Sequence, residues 1–131
     1  MFTFRLDPGS GVPPYLQLVQ QVRQALLLGF VQPDDRLPLI REVVESLAIN
    51  PNTVAKAYRQ LEHEGLVVGR PGQGTFITAA GVATVTPAVY SSLRRGLQVW
   101  LRRAYAAGLD EQAVAALFAT VDHDTRAEDV A

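Results

Sequence analysis

A run of polar side chains between Asn52 and His63 carries the chemistry of nucleic-acid recognition. Asn52, Thr53, Lys56, Arg59, Gln60 and His63 fall on the side of a predicted helix opposite Val54, Tyr58 and Leu61. An asparagine amide pairs with adenine and a lysine or arginine with guanine, and the N-terminal turn of such a helix comes nearest the bases of a major groove. Asn52, Thr53 and Lys56 are therefore base-edge candidates. Arg59, further along, and Arg41, near the start of a preceding short helix, suit phosphate contacts, which position a protein without reading sequence. Arg70 stands beside Gly72, Gln73, Gly74 and Thr75, where absent side chains let the backbone approach a sugar-phosphate chain or minor groove closely. With Arg36 these residues form one predicted basic surface, and Glu42, Glu45, Glu62 and Glu64 are expected away from it.

Composition limits the alternatives. At 131 residues, 48% hydrophobic and 19% charged, the chain buries a core and has no room for a large multi-domain enzyme. It contains no cysteine, so thiolate catalysis, disulfides and Cys-ligated metals are excluded. Met1-Phe2-Thr3-Phe4-Arg5 lacks the basic start and apolar stretch of a secretory signal, and no run reaches the ~18 apolar residues of a membrane span, so a cytoplasmic protein without membrane contact is expected. Twelve Lys+Arg against 13 Asp+Glu leave a net charge of -1, so nucleic-acid binding has to rest on where the charges sit. Lys56 is the single lysine; the other cations are arginines, whose planar fork suits phosphate and carboxylate.

The elements that must position these side chains follow from periodicity and punctuation. Asp7 to Pro14, rich in proline and glycine, reads as an extended lead-in. Tyr15, Leu18, Val19, Val22, Ala25 and Leu26 define a helix with Gln17, Gln20, Gln21, Arg23 and Gln24 opposite, closed by Gly29. A connector turning at Pro33-Asp34-Asp35 leads to a helix of about three turns with Ile40, Val43, Val44 and Leu47 on one face. Asn50-Pro51 caps and starts the next helix, and Gly65 stops it. Leu66-Val67-Val68 and Thr75-Phe76-Ile77-Thr78 then form a hairpin with a flexible tip from Gly69 to Gly74. After a linker over 79–83, Tyr90, Leu93, Leu97, Trp100 and Ala104 mark a fourth helix, with Leu101 beside the stripe, ending at Gly108. Asp110 caps a fifth, with Leu109 and Val114 in staple positions and Leu117, Phe118 and Val121 continuing its face. The polar tail after Asp122 is expected to fray.

Two short helices joined by a tight turn, then a glycine-tipped hairpin, describe a winged helix-turn-helix. The fold class is mainly α with a small β wing: a DNA-binding domain over 1–78 and a short helical dimerisation domain over 79–131. The segments Asp7-Pro8 through Pro14-Tyr15-Leu16-Gln17, Asp35-Arg36-Leu37-Pro38-Leu39-Ile40-Arg41-Glu42, Asn50-Pro51-Asn52-Thr53-Val54, Ala57-Tyr58-Arg59-Gln60-Leu61-Glu62-His63-Glu64-Gly65-Leu66 and Gly72-Gln73-Gly74-Thr75-Phe76 resemble, in their order, the GntR family of bacterial transcription regulators. The short remainder resembles its YtrA subfamily. The resemblance implies a homodimeric regulator, usually a repressor, often of a neighbouring transporter operon. It places the family's phosphate-contacting arginine on Arg41, the recognition-helix start on Asn52 and Thr53, and the wing tip on Arg70 to Thr75. The chain departs from the family pattern where Asp34 replaces a glycine and Leu39 replaces a serine that can cap the second helix and donate to a phosphate; Leu39 can do neither.

Other chemistries fit less well. The glycine-rich tip lacks the Lys-Ser/Thr ending of a nucleotide loop and leads into a strand. Asp122-His123-Asp124 are consecutive and cannot share a helical face, and His63 is the one other histidine, so neither metal nor cofactor is expected. No nucleophile, base and acid set can be named, so no enzyme is expected. The stripe Tyr90, Leu93, Leu97, Trp100, Leu101 with Val114, Leu117 and Phe118 suits pairing with a second copy, because two helices of about 40 residues alone are marginal. A twofold dimer offers two recognition helices to a palindromic operator. Two alternatives stay open: a winged-helix module that binds protein instead of DNA, and a regulator sensing a small-molecule effector between subunits.

Overall fold

The computed structural model describes residues 2–78 and 86–130, the last without its side chain; the linker expected over 79–83 lies outside the described residues. The chain divides into two units, Met1–Pro87 and Ala88–Ala131, and each is described by itself.

The first unit is built on three helices, α1 (Pro14–Leu27), α2 (Ile40–Leu47) and α3 (Pro51–His63), with a hairpin of β1 (Val67–Arg70) and β2 (Gly74–Ile77). The stripe read from α1 is buried from Leu18 to Leu26, with Tyr15 half-buried at its start, and with Val43, Val54, Ala57, Tyr58, Leu61, Val67 and Ile77 it forms one core. Two of the expected solvent-facing residues of α1 are not free. Gln17 is buried, and its amide accepts from the Asp7 N–H at 2.8 Å and donates to the carbonyls of Asp7 at 3.0 Å and Val12 at 2.9 Å. Gln21 does the same to Arg5, at 3.0 and 2.7 Å. Four residues of helix advance about 6 Å, and two residues of extended chain about 6.6 Å. Glutamines four apart therefore match backbone groups two apart, and the lead-in is clamped along α1 with Phe4 in the core.

α2 is shorter than expected, eight residues, because Ala48 turns left-handed at φ 53 and ends it; Ile40 stays 37% exposed and off the buried face. The expected cap of α3 is present, the Asn50 side chain accepting from the Asn52 amide at 2.8 Å with proline at the first turn. Its far end closes at Gly65, φ 77, where the amides of Gly65 and Leu66 return to the carbonyls of Glu62 and Leu61. This left-handed closure satisfies two otherwise orphaned carbonyls and sets Leu66 over Leu61 in sequence register; Gly29 and Gly108 close α1 and the fourth helix alike. Arg23 of α1 grips Glu64 with two hydrogen bonds, at 2.8 and 2.6 Å.

The wing strands run antiparallel, Val67 opposite Ile77 and Arg70 opposite Gly74. They reach further than the hydrophobic runs suggest, so the tip is Pro71-Gly72-Gln73 alone. The connector also pairs with β2: Asp34 donates to the Ile77 carbonyl, Ile77 to Asp35 and Leu37 to Thr75, each at 2.8 Å. This third, short edge makes the wing a fixed platform.

The second unit is a pair of helices, α4 (Pro87–Ala106) and α5 (Glu111–Val130). Asp110 caps α5, accepting from the Ala113 amide at 2.8 Å. The tail expected to fray after Asp122 is helical to Val130. Within it Asp122 and Arg126, one turn apart, pair at 3.1 Å.

Candidate nucleic-acid interface

Burial of Val54, Ala57, Tyr58 and Leu61 fixes the rotation of α3 about its axis. Asn52, Lys56, Arg59 and His63, at steps of three and four residues, are consequently exposed in one row, with Thr53 and Gln60 half-buried beside it. Asn52 and Thr53 occupy the first turn, where the amide ends of the helix favour an anionic ligand. Lys56 does not extend freely: its ammonium lies 4.0 Å from the centre of the Tyr15 ring, a cation–π contact with α1. Arg59 has no ion pair among the described residues.

Between the start of α2 and the wing lies an open groove of about 770 Å³. Arg36, Arg41 and Arg70 line it together with Leu39 and the wing from Gly69 to Thr75. Residues 36, 41 and 70 to 75 are thus gathered at one place although they come from three segments. Gly74 is required here by its backbone, at φ 124, and its missing side chain faces those of Arg36 and Leu39. Gly72 and Gln73 form the tip, and Thr75 is a strand residue whose carbonyl accepts from Leu37, so it lies behind the tip and not in it. Arg70 is held on two sides. Its Nη2 donates to Asp34 at 2.8 Å and its guanidinium lies 4.3 Å from the Phe76 ring centre.

One contact sets the start of α2 against α3, and a second closes that start on itself. The Tyr58 hydroxyl, on a buried ring, donates to the Pro38 carbonyl at 2.6 Å. Burial, and then the Glu42 charge, push this phenol above its usual range. Glu42 itself turns back to accept from the Leu39 amide at 3.0 Å, which is half of a capping box; Leu39 supplies no side-chain cap. Of the acids expected away from the basic surface, Glu64 is engaged with Arg23, and its carboxyl is held below the usual value chiefly by that hydrogen bond. Glu62 comes near the wing, its carboxylate 3.4 Å from the Gly69 amide.

The family model described as bacterial regulatory proteins, gntR family, matches residues 14–77. The HTH-type transcriptional repressor YtrA of Bacillus subtilis is 35% identical over 106 residues, 81% of this chain and 82% of that one. The chain belongs to the GntR family. Among solved structures, YtrA of Sulfolobus acidocaldarius, described as a GntR-family transcription factor, is similar at TM-score 0.53 and 30% identity over 79% of this chain and 97% of that one. A transcriptional antiterminator of Listeria monocytogenes EGD-e is similar at TM-score 0.58 and 27% identity, over 94% of this chain and 92% of that one.

In this GntR chain the matched span runs from α1 through β2, the whole winged helix-turn-helix. The family is one of regulatory proteins, not enzymes. No helix among the described residues is long and apolar enough to cross a membrane. In the second unit Leu93, Leu97, Leu117 and Phe118 are exposed and Tyr90, Trp100 and Leu101 half-buried. Val114 differs from the rest of that predicted face: it is buried, with Ala104, inside its own helical pair. Sequence reading missed the roles of Asp34, Tyr15 and Pro38, whose partners lie tens of residues away and leave no local signal.

Proposed function

We propose that this chain is a transcriptional repressor of the cytoplasm that binds a palindromic operator in double-stranded DNA as a homodimer. Residues 1–78 form the DNA-binding domain and 79–131 the dimerisation domain. α3 enters the major groove with Asn52, Thr53 and Lys56 toward base edges, and the wing, with Arg70, Gly72, Gln73, Gly74 and Thr75, follows the minor groove or backbone. Arg36, Arg41 and Arg59 hold phosphates. The observation that carries this reading is the exposed row of α3 in the same unit as a groove lined by three arginines. Five cations per chain set an upper limit of about 4.5 on the magnitude of the log–log salt slope, doubled in a dimer, at about 0.9 per phosphate.

The test is selection of duplexes from a random library, then anisotropy titration of the winner and a scrambled duplex at several salt concentrations. A palindromic winner with the steep slope supports the reading. No winner, with no binding at low salt, transfers it to a protein-interaction module.

Pairing through the second unit is supported by its exposure: Leu93 is 63% exposed and Phe118 57%, while Ala104 and Val114 alone are buried among its described side chains. Phe118→Asp is expected to leave a monomer in sedimentation, because a charge would enter the apolar contact unpaired. A second reading rests on a largely apolar hollow of about 360 Å³ between α4 and α5, with Leu97, Trp100, Leu117 and Phe118 in its lining. That volume is within the range of small-ligand sites, and an effector there is read by quenching of Trp100 fluorescence.

A further inference from the structure

Of the three groove arginines, Arg70 alone has an ion-pair partner among the described residues. That partner, Asp34, has a side chain 79% exposed and a backbone at φ 71, a conformation that L side chains adopt at a cost. The turn is pinned there by the 2.8 Å bond from the Asp34 amide to the Ile77 carbonyl, so the carboxylate is presented to the wing by a fixed backbone. The guanidinium lies against Phe76, and Nη2 points to the carboxylate at 2.8 Å. A carboxylate oxygen at that distance is the geometry a phosphate oxygen would take.

We propose that Asp34 is an internal competitor for the anion site of Arg70, an autoinhibitory contact that lowers the affinity of the wing for a polyanionic backbone. The inference rests on the DNA-binding reading and adds a residue that opposes it. Bringing a phosphate to Arg70 places a second anion beside Asp34, so the guanidinium must be shared or released. An exposed pair of this kind is weak enough to exchange its carboxylate for a phosphate. The contact sets a threshold: high-affinity binding requires the other groove arginines, Arg36 and Arg41, to engage as well.

The test compares the full chain with Asp34→Asn, Arg70→Gln and the double variant. Asparagine keeps the side-chain size and tolerates the left-handed backbone, and thermal unfolding of each variant checks that it folds. On a heparin column, a sulfated polyanion that needs no operator, Asp34→Asn is expected to elute at higher salt than the parent. On a selected duplex it should bind about two- to fivefold tighter per wing at low salt, with a log–log slope steeper by up to about 0.9, and the gap should close as salt rises. In the Arg70→Gln background the Asp34 change should do nothing. Equal or earlier elution of Asp34→Asn overturns the proposal, as does an equal gain with Arg70 absent, which would make Asp34 a general repulsive charge. The two readings fail separately: a heparin shift that needs Arg70, with no duplex selected, keeps the internal competitor and removes the operator.

Discussion

Replacing Tyr58 by phenylalanine tests how the start of α2 is held against α3. The substitution keeps the ring in the core, where Tyr58 is 6% exposed and faces Phe4 at a ring separation of 6.3 Å, and removes only the donor to Pro38. A net hydrogen bond contributes about 1 kcal/mol, and a carbonyl left buried and dry would raise the loss toward ~3 kcal/mol. Pro38 is half-buried and borders a hollow of about 310 Å³ with room for water once the donor is gone, so the lower figure is the one expected. A second signature separates this from simple repacking. The phenol is raised by burial above its usual value near 10, so the folded protein holds it neutral while the unfolded chain ionises. A raised value means stability fully present below pH ~10 and lost as pH rises further, at about 1.4 kcal/mol per unit. Phenylalanine has no such loss. Urea unfolding followed by circular dichroism should therefore show the parent ahead by about 1 kcal/mol at pH 7 and the two curves meeting near pH ~11. Equal stability at pH 7, or a gap that persists unchanged at alkaline pH, would refute the role given to the hydroxyl.

Three further outcomes are expected. Ala48→Gly should stabilise the first unit by about 0.5–1 kcal/mol in the same unfolding assay, since glycine relieves the left-handed φ of 53 by more than it adds to unfolded-chain entropy; a loss would show that the methyl group packs. Glu64→Gln should cost up to ~1 kcal/mol at pH 7, modest because Arg23 is 40% exposed, and the cost should shrink on acidification. The sign follows from a carboxyl held below its usual 4.5, whose stabilisation is present above that value and lost as pH falls through the folded one, so a difference constant down to pH 3 would exclude the pair. Arg41→Ala should weaken binding to all duplexes and lower the salt slope by about 0.9 per chain, whereas Asn52→Ala should relax preference at one base pair by about 1–3 kcal/mol, and identical behaviour of the two variants in titrations would end that division of labour.

What could be read from sequence was local. Asn50-Pro51 and the glycines after α1, α3 and α4 mark helix ends through bonds made within one turn, and the two short β-prone runs around Val67 and Ile77, split by glycines, mark the wing. Gln17 and Gln21 were legible as polar residues on α1 but not as the clamp on the lead-in, because their partners lie 5 to 16 residues away, outside the helix. The helical tail beyond Asp122 was misread for a different reason. Its polarity removes the hydrophobic periodicity, and helix is carried there by caps and pairs such as Asp122 with Arg126, which periodicity does not register.

The basic surface shows the same limit and how the chain resolves it. From Phe2 to Thr78 there are seven cations, Arg5, Arg23, Arg36, Arg41, Lys56, Arg59 and Arg70, against seven acids, Asp7, Asp34, Asp35, Glu42, Glu45, Glu62 and Glu64. A count gives no field at all. Six of the seven acids, however, are engaged close to their own backbone or by a named partner: Asp7 by the Gly9 amide, Asp35 by the Gln32 amide, Glu42 by Leu39, Glu62 by the Gly69 amide, Glu64 by Arg23 and Asp34 by Arg70. Arg36, Arg41, Lys56 and Arg59 have no ion pair among the described residues. A neutral unit thereby presents unneutralised cations on one helix and one groove, since exposed charges act over about 10 Å and not over the whole chain. Net charge predicts solubility and encounter; the pairing of each acid decides what a phosphate meets.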